Sequence, residues 1–186
     1  MRLQILFLAL VVLIAAPLGA APLFSGPFEV TNWTFFTEGN GAVSTINEPN
    51  SITLFGSDDS CEGEECDNGS RITRFQITYN ELAPILFTFS WEYVTFDDNA
   101  GFDPFGYFIN ETFVELTDPE LGNQTGTAEV TINPGDTFGF YILSTDDCCG
   151  LAYANIPQGI PEPSTYLMMG GGLALVGLVS RRFLSR

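Results

Sequence analysis

Phe87-Thr88-Phe89-Ser90-Trp91-Glu92-Tyr93 alternates apolar and polar residues with a period of two. In an extended chain successive side chains point to opposite faces, so the four aromatics line one face and Thr88, Ser90 and Glu92 the other. This is the pattern of a half-buried strand. The same period runs outward in both directions. Ala128, Val130 and Ile132 alternate with Thr127, Glu129 and Thr131, and Phe138, Phe140 and Ile142 follow the turn Asn133-Pro134-Gly135-Asp136. Phe75, Ile77 and Tyr79 mark another strand, and Ser51 to Phe55, Phe28 to Phe36, Tyr107 to Val114 and Leu151 to Ile156 add more. Clusters of Gly, Pro, Asn and Asp separate them. No stretch between Pro22 and Ile160 carries a helical period, and no internal repeat is visible. The reading is all-β: a single β-sandwich or jelly roll of about seven to nine antiparallel strands over residues 22–158.

Both ends depart from this pattern. Met1-Arg2, the apolar run Leu3 to Ala16, and Pro17-Leu18-Gly19-Ala20-Ala21 have the layout of a secretory signal peptide, with cleavage expected near Ala20. Residues 1–20 are therefore read as a signal helix. At the other end, Tyr166 to Val179 is apolar and is followed by Arg181, Arg182 and Arg186. Its 14 residues reach about 21 Å as a helix, short of the core of about 30 Å. Arginines beside an apolar run stay on the cytoplasmic side, so residues 166–180 are expected to form a transmembrane helix. Both ends then place the middle of the chain outside.

Between Glu29 and Asp147 stand 22 acidic residues against two basic ones, Arg71 and Arg74, a balance of −20. Such a domain repels nucleic acid and anionic lipid and attracts divalent cations or basic partners. The chain has no histidine. Ser-His-Asp and Cys-His relays are thereby excluded, as are histidine-based zinc and iron sites. A carboxylate pair for glycan hydrolysis remains open, and Glu92 and Asp103 are the candidates. No catalytic residue is otherwise indicated, and the expected class is a non-enzymatic binding protein.

Three places carry possible chemistry. Asp97-Asp98 with Asp103 would face Asp146-Asp147 if the strand ends meet, and Asp97, Asp103 and Asp146 would suit calcium, which takes six to eight oxygens. Solvated turn aspartates are the plainer alternative. The stretch Asp58 to Asp67 holds six acids in ten residues, as a solvated loop or a second cation site. Asn32, Asn68, Asn110 and Asn123 each begin an Asn-x-Ser/Thr sequon. Four cysteines, Cys61, Cys66, Cys148 and Cys149, are disulfide candidates in an exported chain. Spacing leaves open a local pairing, Cys61 with Cys66 and Cys148 with Cys149, and two crosslinked ones.

The tail is similar to a known sorting signal. Pro161-Glu162-Pro163-Ser164, the glycine-rich apolar run and Arg181-Arg182 resemble the PEP-CTERM signal of Gram-negative bacteria over residues 160–186. The prolines hold the motif extended for a protease. That resemblance implies export, brief residence in the inner membrane, and processing by a signal peptidase and an exosortase. It further implies release to the cell surface or medium of bacteria that make extracellular polysaccharide, itself a possible partner. The middle resembles, more distantly, a domain of such proteins. Trp91-Glu92-Tyr93 with Phe102-Asp103-Pro104-Phe105-Gly106-Tyr107, and Gly135 to Tyr141 with Ser144-Thr145-Asp146, look like its strand, loop and closing hairpin. The set is similar to CUB-type jelly rolls, which implies adhesion or recognition, with calcium in some members.

Overall fold

The structure is a computed structural model and describes residues 22–59 and 69–157. The signal segment, the candidate transmembrane run and Cys61, Cys66 and Asn68 lie outside the described residues. Among the described residues no helix is long and apolar enough to cross a membrane.

The described residues form ten strands: β1 (Thr34–Thr37), β2 (Ala42–Ser44), β3 (Ser51–Phe55), β4 (Arg71–Thr78), β5 (Ile85–Thr95), β6 (Phe105–Ile109), β7 (Thr112–Glu115), β8 (Gln124–Ile132), β9 (Thr137–Ser144) and β10 (Ala152–Pro157). They make two five-stranded sheets, β1-β4-β9-β6-β7 and β2-β3-β10-β5-β8. All pairings are antiparallel. This is the sandwich expected from the alternation.

β5 shows why. Phe87, Phe89, Trp91 and Tyr93 are all buried and Glu92 is exposed. They meet Phe138, Phe140 and Ile142 of β9 and Phe75 and Ile77 of β4 across the core. Trp33 seals one side: its ring stacks 5.0 Å from Phe75 and 5.9 Å from Phe140, and its indole N–H donates to the Phe28 carbonyl at 2.9 Å. Burying one such aromatic is worth roughly 2–3 kcal/mol, so this aromatic interior holds the two sheets together.

Two segments depart from the sequence reading. The Phe28 to Phe36 stretch is a strand only from Thr34; Gly26–Phe28 and Val30–Asn32 are 3-10 turns. Gly26 has φ +58 and Pro27 follows it, which starts a turn. Phe28 then folds inward against Phe87 and Tyr79, with ring centroids 4.6 and 5.5 Å away. Tyr107 to Val114 is a hairpin, β6 and β7, because Asn110 turns the chain at φ +55. Asparagine tolerates that left-handed region. The three-residue β2 was not anticipated; it is too short to show a period.

The outer face of the first sheet is unusual. Ile72, Phe108 and Tyr141 form a second buried cluster there, with Leu143 packed against it. The Arg74 guanidinium lies 5.2 to 5.8 Å from the rings of Phe113, Phe36 and Phe108.

Candidate functional site

Three connections meet at one end of the sandwich: the segment after β3, the β5–β6 loop and the β9–β10 loop. Antiparallel pairing of β3 with β10, β10 with β5, and β6 with β9 puts these ends side by side. Backbone bonds tie the loops to one another. Asp59 N–H donates to Asp147 O at 3.0 Å, Thr145 N–H to Phe102 O at 2.8 Å, and Phe96 N–H to Leu151 O at 3.1 Å.

Each loop brings aspartates: Asp58 from the first, Asp97 and Asp103 from the second, Asp146 and Asp147 from the third. Every one of the five has a carboxylate oxygen that is buried and has no hydrogen-bond partner. Asp103 is 1% exposed and Asp147 3%. Burial pushes the Asp103 carboxyl up to about 7; Asp97, Asp146 and Asp58 add to this, and the Ser144 hydroxyl works against it. Burial and their acidic neighbours also raise Asp58 and Asp97. Coulombic coupling links every pair among Asp58, Asp97, Asp103 and Asp146. Asp147 has a cation beside it: its Oδ2 is 3.6 Å from Arg71 Nε. The Tyr93 hydroxyl donates to the Asp103 carbonyl at 2.9 Å, fixing that loop to the core.

The loops that carry Asp97, Asp103 and Asp146 thus adjoin, but among the described residues these three carboxylates do not all lie within 4.8 Å of one another. Asp58 adjoins them, although the sequence assigned it to the acidic stretch Asp58 to Asp67; residues 60–67 of that stretch lie outside the described residues. Cys148 and Cys149 are bonded to each other at the rim. Asp147 and Cys149 have φ of +52 and +74, a backbone setting that costs ordinary residues about 1–3 kcal/mol and is held only where its surroundings enforce it.

Glu92 and Asp103 do not share a groove. Glu92 is exposed on the outer face of the second sheet, while Asp103 is buried at the loop end. The outer face around Glu92 has its own order. Register sets Phe55, Tyr153 and Val94 in one row, then Thr53, Asn155, Glu92 and Thr125 in the next. Rings of Phe55 and Tyr153 are 5.8 Å apart, and that of Phe96, 69% exposed, is 6.5 Å from Tyr153. Two sequons serve the fold. Asn110 Oδ1 accepts from Thr137 N–H, and Asn123 Oδ1 from Thr95 N–H, both at 3.0 Å.

Residues 159–182 match the family model described as the PEP-CTERM protein-sorting motif. The chain carries a PEP-CTERM sorting signal. The PEP-CTERM match implies export, a transient C-terminal membrane attachment and processing by an exosortase. It covers the tail and not the sandwich. No curated protein matches the chain. Among solved structures, the GH26-CBM35 β-(1,4)-mannanase of Podospora anserina is 16% identical with a TM-score of 0.32, covering 71% of this chain and 29% of that one. This chain therefore spans less than a third of that relative's length. A family 35 carbohydrate binding module from Clostridium thermocellum is 9% identical with a TM-score of 0.29, covering 68% and 98%. The C-terminal CBM6 of a marine laminarinase from Zobellia galactanivorans is 16% identical with a TM-score of 0.27, covering 57% and 99%. At these scores the likeness says nothing about function.

Proposed function

We propose that this PEP-CTERM chain is a non-enzymatic cell-surface or matrix protein of a Gram-negative bacterium. Its sandwich binds neutral polysaccharide on the outer face of the second sheet. The supporting observation is the pair Phe55 and Tyr153, with the Phe96 ring beside it, next to the polar row Thr53, Asn155, Glu92 and Thr125. Flat rings stack on the apolar faces of sugars, and hydroxyl, amide and carboxylate groups next to them accept and donate to sugar hydroxyls. The charged groups of this face, Glu92 and Glu129, are both acidic, and a domain balance of −20 repels an acidic polymer. A neutral glycan fits that charge.

Hydrolysis is disfavoured by spacing. Glu129 pairs with Thr88, four residues along β5 from Glu92. At about 3.3 Å per residue the two acids stand roughly 13 Å apart, beyond the range of about 5–9.5 Å that glycosidases use.

Affinity electrophoresis of the exported protein tests the reading. Gels containing a neutral β-glucan or mannan should retard the wild type, and gels containing an acidic polysaccharide should not. Tyr153→Ala should run as in a sugar-free gel, while Phe113→Ala, on the other sheet, should stay retarded. No retardation of the wild type by either neutral polymer, or equal retardation of Tyr153→Ala, would refute it.

A further inference from the structure

We propose that a calcium ion binds at the loop end between Asp58, Asp97, Asp103 and Asp146. Asp103 carries the inference. Its side chain is 1% exposed, its Oδ2 has no hydrogen-bond partner, and the acids around it are Asp97, Asp146 and Asp58. A buried carboxylate among three others is costly unless a proton neutralises it or a cation joins them. The three neighbours each hold a buried oxygen without a partner as well. These oxygens come from three separate connections, so one ion would pin the loop after β3, the β5–β6 loop and the β9–β10 loop together.

The chemistry selects the ion. Four carboxylates and no imidazole make a hard, oxygen-only set. Among the described residues, one group of three ligand-type atoms lies within 4.8 Å: Asp146, Cys148 and Cys149. Its sulfurs are joined as a disulfide and offer no thiolate to a soft metal. The four carboxylates stand wider apart than ligands touching one ion, so binding draws the loops inward, with water completing the shell. Calcium accepts such irregular shells of six to eight oxygens at about 2.3–2.6 Å; magnesium demands a tight octahedron and keeps its waters.

This site is independent of the polysaccharide reading, and its test contains no sugar. Exported protein is stripped with chelator, dialysed and titrated with calcium chloride in a calorimeter, and its melting is followed in calcium and in chelator. One calcium per chain and a higher melting temperature in calcium are expected, with magnesium at least about tenfold weaker. Asp103→Asn should weaken calcium at least about tenfold, yet melt higher than the wild type in chelator at pH 8, because it removes a buried charge crowded by Asp97, Asp146 and Asp58. Asp146→Asn gives a second reading should Asp103→Asn fold poorly, and exposed Asp98→Asn should bind as the wild type does. Identical melting in calcium and chelator with no heat of binding overturns the site. So does calcium affinity in both Asp103→Asn and Asp146→Asn equal to that of Asp98→Asn.

Discussion

Single residues show how a turn that reads plainly in sequence does more than turn. Asn133-Pro134-Gly135-Asp136 reverses the chain between β8 and β9, with Gly135 at φ +87. Asp136 closes it: Oδ2 accepts from the Asn133 backbone and side-chain N–H groups at 2.9 and 3.1 Å. Oδ1 accepts from Asn110 Nδ2 at 3.0 Å, which ties this turn to the β6–β7 turn. The turn was legible from its residue types; its partner was not, because Asn110 is 26 residues away and read as a sequon inside a strand. The hydrogen bonds from Asn110 and Asn133 hold the Asp136 carboxyl below its ordinary 3.8. A depressed folded value means the unfolded chain binds the proton more readily, so the contribution is present above pH 3.8 and is lost as pH falls through the folded value. Asp136→Asn keeps one acceptor oxygen and cannot titrate. Its melting temperature should lie below the wild type's at pH 6, and the gap should close as pH falls below about 4. A gap that stays constant from pH 6 to pH 3 would show that the carboxylate's charge contributes nothing.

Elements follow the period of two wherever a strand has one buried face and one wet face. β5 and β8 obey this along their paired length, and so do β3 and β10. The rule fails where tertiary contacts override it. In β9 five consecutive residues, Phe138 to Ile142, are buried, since Tyr141 is covered by the second cluster on the outer face. That cover comes from Phe108 and its neighbour Phe113 across the β6–β7 hairpin, an element that reads as one strand in sequence. The acidic end was half legible for a related reason: strand ends were visible, but not which ends adjoin, so Asp58 was left out. Gly126 is a test at this scale. It faces Trp91 across the β5–β8 ladder, and a Cβ there would sit 2.6 Å from Trp91 Cζ2 and 2.9 Å from Nε1. The indole cannot swing away, being buried with its ring 5.8 Å from Phe105. Gly126→Ala should therefore cost about 1–3 kcal/mol, several degrees of melting temperature. Gly122→Ala, with nothing within 4 Å of its Cβ, should melt within about a degree of the wild type. Equal melting of the two variants would mean that the β8 backbone yields to the indole freely.

The whole molecule separates charge by segment. Acidic residues crowd the sandwich, while four of the six arginines lie in the two terminal segments. The PEP-CTERM match at residues 159–182 begins two residues after β10 ends at Pro157, so the signal follows the last strand without a second domain between them. Cutting there would release the sandwich with its final strand intact. Pro161, Glu162 and Pro163 stand just ahead of the apolar run in the sequence. Arg181 and Arg182 follow the run in the sequence, and arginines beside an apolar segment favour the cytoplasmic side. Replacing Pro161-Glu162-Pro163 with three alanines removes the motif and leaves the apolar run and the arginines in place. Intact-mass analysis of cell fractions should find the wild type outside the cell, without the residues that follow the motif. The variant should be found in the membrane fraction, with its tail retained through Arg186. If both proteins reach the medium at the same shortened mass, the motif does not direct the cut.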